Sequence, residues 1–83
     1  MRFLYFYLMQ EAPDRVRAAP EHASSWRQLQ LRGYLGGPFA DRSGGLITFE
    51  AESGAAAEAL VANDPFLREH LLERHWVKEW LLD

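Results

Sequence analysis

Two side chains in this sequence are of the right type, and in the right kind of place, to move a proton. His22 is the first. An imidazole with a reference pKa near ~6.5 takes and returns a proton at neutral pH. Projected at roughly 100° per residue, His22 falls inside a helical stripe of Ala19, Ala23, Trp26, Leu29 and Gln30, so it faces the core. The competing reading is a packed core histidine whose nitrogens are simply hydrogen-bonded. Asp64 is the second. A carboxylate just outside a helix end can orient an imidazole and stabilise its cation. Followed by Pro65, it is equally an N-cap with proline at the first helical position, and the two roles can coexist. Gly36-Gly37-Pro38 is either a pocket wall with accessible N–H groups or a bulged edge strand. Its spacing is not that of a phosphate-cradling loop. Arg17 is near enough to His22 to line the mouth of a pocket.

Other chemistries find no support. His70 and His75 straddle a helix-to-strand boundary and lack the one-turn spacing of helical zinc ligands. The chain has no cysteine, hence no disulfide, no cysteine metal site and no thiol nucleophile. Ser24 and Ser25 sit mid-helix and not on the tight strand–helix turn of a nucleophilic serine. No metal and no cofactor is therefore expected. A net charge of −3 and a pI near 5.5 argue against a nucleic-acid partner. Arg15, Arg17, Arg27, Arg32, Glu69 and Glu73 read as a solvated face. The apolar run Phe3–Met9 is too short to span a membrane, and its aromatics suit a buried strand better than a signal peptide. At 83 residues, 48% of them hydrophobic and 25% charged, the expectation is one small cytoplasmic domain with an adequate core.

The elements that must position these residues follow from periodicity. Phe3–Met9 is a first strand, with Tyr5 and Tyr7 opposite Leu4, Phe6 and Leu8. Arg15–Leu31 is a helix with Pro20 near the start of its regular part and Gly33 as its stop. Tyr34–Phe39 and Leu46–Ala51 are strands joined by the turn 41–45. Ser53 caps a second helix, Ala55–Ala62. Pro65–Leu72 adds one or two helical turns, and His75–Leu82 is the last strand. The order β-α-β-β-α-β predicts an α+β, ferredoxin-like fold: a four-stranded antiparallel sheet with both helices on one face. The helices cover one face only, yet the first strand is apolar on both and Trp76 and Trp80 need cover too. A homodimer through the remaining sheet face, with the tyrosine face as the one at risk of exposure, is expected.

Pro20-Glu21-His22, Gly36-Gly37-Pro38-Phe39, Gly45–Ser53 and Asn63-Asp64-Pro65-Phe66, in this order across nearly the whole chain, resemble the YciI-like (YCII-related) family. The resemblance implies the dimeric α/β-barrel superfamily, in which two ferredoxin-like sheets pack face to face. It also implies that His22 and Asp64 form an active-site pair. Relatives in the superfamily include muconolactone isomerase and cofactor-free oxygenases. One departure is His70, where family members often carry glycine; a larger side chain there would narrow the pocket or add a second imidazole. Two functions are expected to compete. One is a small cofactor-free acid–base enzyme acting on a lactone, enol or substituted phenol, with Gly36 or Gly37 N–H groups binding a developing oxyanion. The other is a non-catalytic binding or accessory assembly module using the same barrel.

Overall fold

The computed structural model describes residues 1–11 and 14–83, with Asp14 and Arg15 described by backbone alone. The expected solvated role of the Arg15 side chain therefore lies outside the described residues. The elements are β1 (Arg2–Met9), α1 (Asp14–Gln28), β2 (Leu35–Pro38), β3 (Gly44–Glu50), α2 (Gly54–Ala62), α3 (Pro65–Arg68) and β4 (Leu72–Glu79). The sheet order is β2-β3-β1-β4, with every neighbouring pair antiparallel. Each long helix thus links two strands that run the same way with a third between them, the ferredoxin-like arrangement. Among the described residues no helix is long and apolar enough to cross a membrane.

Several boundaries differ from expectation for local reasons. Helix α1 ends at Gln28, and the chain then turns left-handed at Gln30 (φ 51°), so Gly33 (φ 61°) serves the next turn and not the helix stop. Pro20 stands well inside the helix, where it removes one i→i−4 bond. The buried stripe is set by the two bulky side chains, His22 and Trp26, while Ala19 is exposed and Leu29 falls beyond the helix end. Strand β4 starts earlier than predicted because its register is dictated by β1: Met9 pairs with Leu72 and Phe3 with Glu79. Ser53 does cap α2, accepting the Ala56 N–H.

The two faces of β1 divide the molecule. Phe3, Tyr5 and Tyr7 point under the helices, where they join Trp26, Ile47, Phe49, Ala57, Val61 and Phe66 in the core. Trp26 bridges helix and sheet, its ring centroid 5.8 Å from Tyr5 and 5.6 Å from Phe49. The tyrosine face is therefore the covered one, contrary to expectation. Tyrosines pack under helices because their rings supply apolar area while their hydroxyls find partners there. The outer face carries Leu4, Phe6, Leu8 and, through register, Leu46 and Trp76. Phe6 lies 5.4 Å from Phe39 and 5.1 Å from Trp76, and the Arg74 guanidinium stacks over the Trp76 ring.

Candidate functional site

Asp64 is where local and tertiary chemistry meet. Its extended backbone (φ −62°, ψ 127°) and the following Pro65 make it the N-cap of α3, and its Oδ1 accepts the Phe66 N–H at 3.2 Å. The same carboxylate is only 1% exposed and accepts two further hydrogen bonds. One comes from the Tyr5 hydroxyl to Oδ2 at 2.6 Å, the other from His22 Nδ1 to Oδ1 at 2.5 Å. A buried carboxylate is costly unless its lone pairs are filled, and here three donors from three elements fill them.

That arrangement orients the imidazole. The carboxylate accepts at the Nδ1 side; in the tautomer with its proton on Nδ1, the ring presents Nε2 as an acceptor. The Tyr7 hydroxyl occupies that side, 3.2 Å from Nε2. The ring is held flat against Phe66 (centroids 3.9 Å apart, planes 10° apart), with Tyr7 edge-on to it. Tyr5, Tyr7, His22 and Asp64 thus form one buried polar network in which every named side chain is bonded. Burial, reinforced by the Asp64 charge, pushes the Tyr5 and Tyr7 hydroxyls well above the ordinary phenol range. Both stay neutral phenols, and Tyr5 donates its hydrogen bond to Asp64.

The network reaches the surface at a cleft of about 460 Å³ lined by Tyr7, Met9, Val16, Ala19, Pro38, Arg42, Gly44 and Phe66. Strand β3 approaches Tyr7 at two glycines, of which Gly44 lines the cleft. A Cβ on Gly44 would land on the Tyr7 carbonyl, and one on Gly45 would land on the Tyr7 hydroxyl, so neither position has room for a side chain. The cleft exists where β3 comes this close to Tyr7.

His22 and Asp64, predicted far apart in sequence, are brought together. Of the other predicted residues, Pro38 lines the cleft, Gly36 lies beneath the Tyr34 hydroxyl, and Gly37 has open space around it. Arg17 lines a separate groove of about 260 Å³ with Ala18, Glu21, Glu69 and Leu71, and among the described residues the cation lining the cleft is Arg42. His70 is exposed and does not line the cleft. Its backbone is left-handed (φ 57°), a conformation that glycine adopts without strain. Sequence reasoning missed Tyr5, Tyr7, Phe66 and Arg42 as members of the site. The available signal was that two tyrosines on one face of a buried strand must find partners for both hydroxyls.

A family model described as the YCII-related domain matches residues 1–81. The chain belongs to the YCII-related family. Among solved structures it is similar to 5-chloro-2-hydroxyhydroquinone dehydrochlorinase (TftG) from Burkholderia phenoliruptrix AC1100, in complex with 2,5-dihydroxybenzoquinone. That likeness has a TM-score of 0.80 at 26% identity, covering 98% of this chain and 94% of that one. Two more distant likenesses concern the fold alone. At3g17210 from Arabidopsis thaliana has a TM-score of 0.55 at 9% identity, covering 99% of this chain and 94% of that one. Rv0793 from Mycobacterium tuberculosis has a TM-score of 0.52 at 16% identity, covering 99% and 95%. None of the curated proteins matches the chain.

Proposed function

We propose that this YCII-related protein is a small acid–base enzyme of the lyase or isomerase kind. It acts on a small hydroxylated molecule, phenolic or enolic, with a proton relay and no cofactor. The observation that carries this reading is the continuous series Tyr7–His22–Asp64, which begins at the cleft and ends on a buried carboxylate. A substrate hydroxyl at the cleft gives its proton to the Tyr7 oxygen as the Tyr7 proton passes to His22 Nε2. Asp64 then faces an imidazolium, the form a carboxylate stabilises. Reversal of the relay returns the proton to a ring carbon, which completes a keto–enol isomerisation. Where that carbon carries chlorine, loss of a second hydroxyl proton lets chloride depart with its bonding pair. The net loss is one proton and one chloride, and the ring becomes a quinone without an external oxidant. The similarity to a dehydrochlorinase supports including this second outcome.

The enzyme works as a homodimer. Leu4, Phe6, Leu8, Leu46 and Trp76 form an apolar sheet face that the helices do not cover, and a second copy of the same face is its natural partner. Light scattering is expected to report twice the chain mass.

The decisive experiment is a turnover screen of 5-chloro-2-hydroxyhydroquinone, lactones, enols and chlorinated phenols with wild type, His22→Gln and Asp64→Asn. Loss of about 10²–10⁴-fold in kcat for both variants, with circular dichroism unchanged, is the expected result. Full turnover in a folded His22→Gln protein removes the pair from the reaction. A second reading, a binding or assembly module without turnover, is favoured by the depth of His22, which is 7% exposed and does not itself line the cleft. Under that reading the variants bind ligands as wild type does, and no substrate turns over.

A further inference from the structure

Among the described residues the cleft lining is mostly apolar. Tyr7, whose hydroxyl belongs to the buried network, lines it, and Arg42 is the one charged residue among the described lining residues. Arg42 stands in the β2–β3 turn, and that turn is unusually well tied. The Arg42 N–H donates to the Phe39 carbonyl at 2.9 Å, and the Phe39 N–H donates to the Gly44 carbonyl at 2.8 Å. Asp41 Oδ1 accepts both the Ser43 hydroxyl, at 2.6 Å, and the Ser43 N–H, at 3.0 Å. Those hydrogen bonds hold the Asp41 carboxyl below its ordinary range and engage it within the turn.

Two consequences concern Arg42. Its backbone is left-handed (φ 63°), a conformation that a residue with a Cβ adopts at a cost and that glycine would adopt freely. Among the described residues its guanidinium has no carboxylate within ion-pair distance, since the adjacent Asp41 is taken up by Ser43. An arginine in a glycine-like position, with no carboxylate among the described residues beside it and a place in the lining of the cleft, is available to an anion. Low-dielectric walls strengthen its attraction for an anion over what water would allow.

We infer that the cleft selects a small planar anion and that Arg42 is the residue that reads its charge. This rests on the cleft being the substrate site proposed above. A ring of one hydroxylated aromatic fits a volume of this size, lying against Met9, Pro38 and Phe66. Its neutral hydroxyl meets Tyr7, and a carboxylate or ionised enol on the same ring meets Arg42. Recognition and proton transfer are then carried by different residues. The charge sets which molecules enter, and the relay sets what happens to them.

Binding separates this inference from the catalytic reading, because it needs no turnover. The probes are 2,5-dihydroxybenzoate and 2,5-dihydroxybenzamide, which share a ring and differ in charge. Calorimetry at low ionic strength is expected to show wild type binding the benzoate at least about tenfold more tightly, with the preference shrinking as salt is added. Arg42→Gln is expected to abolish the preference and leave benzamide binding unchanged, and Arg42→Lys to retain part of it. Equal binding of the two probes by wild type, binding of neither, or an undiminished preference in folded Arg42→Gln overturns the inference. His22→Gln is expected to keep the preference. If that variant also keeps full turnover, the acid–base reading falls while the anion preference stands.

Discussion

The Tyr7 hydroxyl lies 3.2 Å from Nε2 of His22, and of these two residues only Tyr7 lines the cleft. The group best suited to hold a proton is thus one residue removed from the place where a substrate would sit. A phenol that burial keeps neutral is well suited to bridge them, since it can give one proton as it accepts another. Asp64 stands at the far end of the same series, bonded to Nδ1 on the side of the imidazole away from Tyr7.

Removing only the Tyr7 hydroxyl tests the bridge. Tyr7→Phe keeps the ring against His22 and Phe66 but leaves Nε2 without its donor. The expected cost in stability is about 1 kcal/mol. The expected loss in kcat is on the order of 10²-fold, with KM little changed, because proton transfer is lost and the cleft walls are not. Steady-state kinetics beside thermal unfolding separates the two quantities.

The two roles of Asp64 come apart by substitution. An asparagine still caps α3 through its amide oxygen, but it cannot accept from His22 and Tyr5 on both sides at once. Asp64→Asn is expected to destabilise the fold by about 1–3 kcal/mol, and Asp64→Ala by about 1 kcal/mol more as the cap is lost. Denaturant titration gives the difference. Equal stability of the two variants would show that the cap contributes nothing.

Stability should fall in alkali. The native pKa values of Tyr5 and Tyr7 are raised by burial, and next by the Asp64 charge, so above about pH 10 the unfolded chain releases phenolic protons that the native state retains. The stabilisation is whole below the unfolded pKa and declines as pH rises past it. The slope approaches about 1.4 kcal/mol per pH unit for each tyrosine. Ultraviolet titration is expected to show Tyr5 and Tyr7 ionising only as the protein unfolds. Their free titration in the native protein would contradict the buried network.

Two glycines near the cleft should respond oppositely to a methyl group. A Cβ at Gly45 collides with the Tyr7 hydroxyl and the Gly37 carbonyl, whereas one at Gly37 meets nothing within 4 Å. Gly45→Ala is expected to lower stability by about 1–3 kcal/mol and to shift the His22 and Tyr7 resonances. Gly37→Ala should change stability by no more than about 0.5 kcal/mol and leave those resonances in place.

The linear sequence determined the element order, and with it the ferredoxin-like fold, because each element declares itself locally. Alternation in Phe3–Met9, the Ser53 cap and the Asp64-Pro65 helix start act over a few residues. It also offered His22 and Asp64 as candidates, each with a competing structural role as a packed core histidine or a helix cap, and the family resemblance is what paired them. What it did not determine was which face of β1 lies under the helices. Both faces are apolar, so alternation is symmetric, and only the demand that the Tyr5 and Tyr7 hydroxyls meet Asp64 and His22 breaks the symmetry. Likewise, of the cleft lining only Pro38 was singled out in the chain. Arg17 is close to His22 along the sequence, but the helix turns it into another groove. Arg42 is twenty residues from His22 and reaches the cleft only because β3 lies beside β1, with Gly44 and Gly45 closing on Tyr7. Pairing energies between strands depend on the whole sheet, and no local pattern records which distant side chain they will deliver.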